Sequence, residues 1–81
     1  MPSPYQKEIL AQVLDGKRSW SNAEVKGDPD VFKTQVIVPL RELKYEGVID
    51  QLEEVEAAID GEVHIVMVEI IGAINYHHEE D

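Results

Sequence analysis

The chain has no cysteine among its 81 residues. That excludes a disulfide scaffold and any thiolate zinc site, and it fits a reducing compartment without requiring one. No apolar run approaches the roughly 20 residues that span a bilayer. Residues 1–6 lack a basic segment leading into an apolar one, so no secretory signal is expected and the cytoplasm is the expected compartment. Repeats and low-complexity tracts are also missing. A single domain over residues 1–76 follows, with His77 to Asp81 as a flexible tail. A domain of this size buries only about 60–65% of the surface its unfolded chain exposes.

Positive charge is missing from half the chain. All seven Lys and Arg residues lie at or before Lys44, whereas residues 45–81 carry eleven acids and no base. The net charge of −10 is therefore concentrated in the second half. The uniformly basic footprint of a nucleic-acid binder is absent, and the second half should repel polyanions.

What is present is a strong pattern of local signals. Ser3, Pro4 and Gln6 suit the start of a helix as N-cap, first position and capping-box partner. Tyr5, Ile9 and Val13, with Leu10 and Leu14 beside them, give an apolar stripe, and Gly16 is a stop, so a first helix is expected over about 4–15. Lys17 to Trp20 is too short for a helix and reads as a short strand or an extended connection that plugs Trp20 into the core. Ser21-Asn22-Ala23-Glu24 repeats the capping-box pattern and starts a short second helix, which must end near Lys26 or Gly27 because Asp28 precedes a proline. Phe32, Val36, Leu40 and Leu43 share one helical face, which predicts a third helix over about 31–45 ended by Gly47. Pro39 within it predicts a kink, or a late start near residue 34.

From Val48 the pattern turns to strands. Asp60-Gly61 between Ile59 and Glu62 is a two-residue hairpin signature, and it predicts pairs Ile59–Glu62, Ala57–His64 and Val55–Val66. The return strand, Val63 to Ile71, is apolar on both faces: Val63, Ile65, Met67 and Ile71 on one, Val66, Val68 and Ile70 on the other. One face covers the helices. The other needs either a partner or the 72–76 segment folded back, and Val66, Val68 and Ile70 are the expected self-association surface.

Along Ala23-Glu24-Val25, Val36 and the run from Leu40 to Asp50, the chain resembles the winged helix-turn-helix family. The pattern is a small residue, an acid and an aliphatic in the second helix, an aliphatic followed at four and seven residues by leucines in the third, then Gly-aliphatic-Ile into the wing. Pro29, Asp30, Phe32 and Pro39 depart from it. The resemblance implies an α+β fold of three helices and a C-terminal hairpin wing, with a short strand near Trp20. It also implies a regulatory module that binds DNA through its third helix as a homodimer.

On a regular helix the residues turned away from the core would be Thr34, Val38, Arg41 and Tyr45, flanked by Lys33, Ile37 and Lys44. These seven are the candidate DNA- or partner-binding residues, Arg41 reading guanine and the lysines meeting phosphate. Solvated helix charge is the plainer account of the same residues. Ile37, Val38 and Tyr45 suit a protein partner better, and the acids Glu53, Glu54, Glu56, Asp60 and Glu62 would oppose phosphates, so a protein-binding adaptor is the alternative. No nucleophile, phosphate-cradling loop or separated carboxylate pair suggests catalysis. No cofactor is expected, and adjacent His77 and His78 do not form a defined metal site.

Overall fold

A computed structural model of the chain describes residues 2–76, and the expected tail at 77–81 lies outside them. The architecture is α+β: helix α1 (Gln6–Leu14), strand β1 (Ser19–Ser21), a single 3₁₀ turn (Asn22–Val25), a long helix α2 over residues 29–45, then strands β2 (Ile49–Ile59) and β3 (Glu62–Ile74). The sheet is antiparallel in the order β1-β3-β2. Among the described residues no helix is long and apolar enough to cross a membrane.

The local signals work as sequence chemistry requires, with two changes at helix starts. Glu24 closes a capping box by accepting the Ser21 N–H at 3.0 Å, and the short helix runs one turn before Lys26 turns left-handed. At α1 the expected capping box does not form. The helix begins at Gln6, the Ser3 hydroxyl accepts the Tyr5 N–H instead, and the Gln6 side chain donates to Glu46 at 2.9 Å. The Ser3 N–H reaches both carboxylate oxygens of Glu42, at 2.8 and 2.9 Å, and so ties the N-terminal segment to α2.

Helix α2 starts earlier than expected. The Asp28 carboxylate caps the N–H groups of Asp30 and Val31, and Pro29 occupies the first turn, where a missing N–H costs nothing. The signal that ends the 3₁₀ turn is thus also the cap of the next helix. The irregularity takes the form of a widened turn, and the late start allowed for at Pro39 does not occur. The turn before it, Lys33–Ile37, is a π-helix between α segments Pro29–Phe32 and Val38–Tyr45, with Val38 donating to the Lys33 carbonyl five residues back. Widening this turn removes the carbonyl that the proline ring would otherwise meet and needs no donor from Pro39.

The core lies between the helices and one face of the sheet. Ile9 and Val13 of α1, Trp20 of β1, Phe32, Val36, Ile37, Leu40 and Leu43 of α2, and Ile49, Val68 and Ile70 of the sheet form it. Trp20 is buried as expected, its indole N–H donating to Gln12 at 2.9 Å. The hairpin closes at Asp60-Gly61, pairing Ile59 with Glu62 and Ala57 with His64 as expected. Beyond that the expected register fails. Glu56 pairs with Ile65 and Val55 with Met67, so Val66 is the extra residue of a β-bulge. The bulge lets Ile65 join Val68 and Ile70 on the core side, although a regular strand would turn residues 65 and 68 to opposite faces. The chain extends 49 Å along its longest axis against 21 Å along its shortest, as a long hairpin leaving a small helical body requires.

Candidate functional site

The seven residues expected on the outer side of α2 do not stay together. Lys33, Thr34, Arg41, Lys44 and Tyr45 are exposed, and Tyr45 keeps 93% of its surface. Val38 is half-buried. Ile37 is fully buried, contrary to expectation. The π turn inserts one residue into the helical phase, so Val36 and Ile37 both reach the core and the apolar part of the expected surface is largely lost.

Arg41 is exposed but engaged. Its Nε donates to Glu54 Oε2 at 2.8 Å and a terminal nitrogen donates to Glu54 Oε1 at 2.7 Å. The same edge of a guanidinium would grip guanine. The partner comes from the inward side of β2, because Glu54 sits opposite Val68. The hydrogen bonds from Arg41 hold the Glu54 carboxyl below its usual range, against a smaller opposing effect of partial burial, and the charges of Arg41 and Lys44 add to the lowering. The Arg41 guanidinium is correspondingly pushed up, first by its hydrogen bonds to Glu54. An open cleft of about 560 Å³ surrounds the pair, lined also by Lys44, Tyr45 and Leu52.

No family model, curated protein or solved structure matches the chain.

Other bases are committed as well. Lys17 pairs with Glu24 and lies 5.6 Å from the Trp20 ring centre, while Arg18 donates to the Val13 carbonyl at 2.8 Å. Lys33 makes no ion pair among the described residues. Glu42 on α2 holds Ser3 of the N-terminal segment, and Glu46, just past the end of α2, holds Gln6 at the start of α1.

The expected self-association surface is corrected. Val68 is fully buried and Ile70 nearly so, both inside this chain's own core, and Val66 is half-buried at the bulge. Strand alternation turns the opposite face outward, and the register sets it in three rungs: Val55 beside Met67, Glu53 beside Glu69, and Gln51 beside Ile71. All six residues are exposed. The apolar character of β3 pointed to such a surface, but without the bulge the faces could not be assigned correctly. No group of three or more potential metal ligands occurs among the described residues.

Proposed function

We propose that the chain is a winged-helix-type module without catalytic activity that binds another protein and does not read DNA. The order of helix, short strand, short turn, long helix and hairpin supports the architecture, as does the strand order β1-β3-β2. In this reading the second helix is reduced to the 3₁₀ turn and α2 occupies the third-helix position. The observation that carries the functional reading is the forked pair of Arg41 and Glu54. The one arginine on the expected DNA-reading surface is neutralised by a carboxylate of the wing itself. DNA would have to displace Glu54 and then tolerate it, together with Glu56, Asp60 and Glu62 on the same hairpin.

A second reading, DNA binding through α2, rests on the exposure of Lys33, Thr34 and Lys44 on one helix. A titration with random-sequence duplex DNA at low salt separates the two. The protein-binding module shows no affinity there. Micromolar binding that weakens steeply as salt rises contradicts it.

A further inference from the structure

Among the described residues, the outward face of the hairpin belongs to no part of the buried core. Val55, Met67 and Ile71 remain 44%, 42% and 42% exposed, and the other residues of that face, Glu53 and Glu69 between them and Gln51 beside Ile71, are exposed too. The helices pack on the other side, against Val68, Ile70 and Ile49. On the outward face, two rungs with apolar side chains flank one rung of two carboxylates. Glu53 and Glu69 stand directly across the ladder, and neither has a hydrogen bond or ion pair among the described residues. Like charges placed opposite each other destabilise a sheet, so this rung works against the free chain.

We propose that this face docks a basic amphipathic helix of another protein, one that presents apolar, arginine and apolar side chains on successive turns. This rests on the protein-binding reading and specifies its surface and partner. Rungs on one face of a strand repeat every two residues, about 6.6–6.8 Å, and helix residues four apart advance about 6 Å. An arginine on the middle turn meets Glu53 and Glu69 together, relieving their repulsion with charge-assisted hydrogen bonds. Leucine-like side chains on the outer turns cover Val55 with Met67, and Ile71.

Charge selects this occupant over the others. A second copy of the hairpin would bring four carboxylates together, and β2 and β3 contain no Lys or Arg to answer them. Duplex DNA and an anionic lipid surface are repelled by the same rung.

The test measures binding of a dye-labelled synthetic helix, with leucine on two turns and arginine on the turn between, to the whole chain at low salt. Binding is expected. Met67→Ser should weaken it about tenfold or more, as should Glu53→Lys combined with Glu69→Lys. The double charge reversal should instead bind a helix carrying glutamate in place of arginine, a swap that a folding defect would not produce. Leu14→Ser, at an exposed position on α1, should leave affinity unchanged. Absence of binding overturns the proposal, as does binding indifferent to the charge reversal. A dimer by sedimentation that Met67→Ser dissociates would overturn it in favour of a second copy. Loss of binding caused by Val38→Ser alone would overturn the docking surface and leave the protein-binding reading intact.

Discussion

Arg41 and Glu54 are joined by two hydrogen bonds of 2.7 and 2.8 Å, yet both side chains remain partly in solvent. Screening therefore keeps the pair's contribution to stability at about 1 kcal/mol or less. Its pH dependence follows from the lowered carboxyl of Glu54. A depressed acid stabilises the fold above its unfolded range and loses that contribution as pH falls through the folded value. Glu54→Gln should therefore lower stability at pH 7 by about 1 kcal/mol or less. Well below the ordinary glutamate range, about pH 4.3, the variant and the parent should converge. Urea denaturation at neutral and acid pH checks both points. Gly72 offers a second test. Its φ is +90°, and a side-chain carbon there would lie 2.5 Å from Asp50 Oδ2 and 3.0 Å from Asp50 Cβ. Gly72→Ala should cost about 1–2 kcal/mol from the left-handed backbone alone, measured the same way.

Among the elements, α2 separates a regular helix from the one that forms. A straight α-helix through residues 31–45 leaves Ile37 on an exposed flank, where truncation would be nearly neutral. The π turn puts Ile37 wholly inside, so Ile37→Ala should destabilise by about 2–5 kcal/mol, read from the urea midpoint. The sequence made the helix visible through Phe32, Val36, Leu40 and Leu43. Pro39 marked the irregularity but not its form, because a proline allows a kink, a late start or a widened turn, and tertiary packing chooses among them. The hairpin behaves similarly. Asp60-Gly61 made the turn and its first pairs legible, whereas the bulge at Val66 arises from packing Ile65 with Val68, a condition no local motif encodes. One register slip was enough to assign Val68 and Ile70 to the wrong side. On the outer face, Glu53→Lys should turn a repulsive rung into an attractive one and raise stability by about 0.2–1 kcal/mol, an effect that salt diminishes.

For the whole molecule, the order of elements and most of the core were legible, because the apolar spacing of the helices, the Ser21–Glu24 capping box and the Asp60-Gly61 turn point to the same arrangement. The candidate site was less so. Arg41 and Glu54 are thirteen residues apart, and nothing in their spacing shows that the hairpin places a carboxylate against the helix. The acidic second half did foreshadow the outcome, since it places carboxylates wherever the hairpin goes. The proposed winged order is thus joined to a hairpin whose charge opposes DNA, and the outward face proposed for a basic helix lies on that same hairpin. Competition at low salt tests this most directly, with the labelled leucine–arginine helix bound and unlabelled duplex DNA added. The protein should keep the peptide helix at every DNA concentration at which free peptide itself remains unbound to DNA. Direct, steeply salt-dependent capture of the duplex by a chain that ignores the peptide would contradict it.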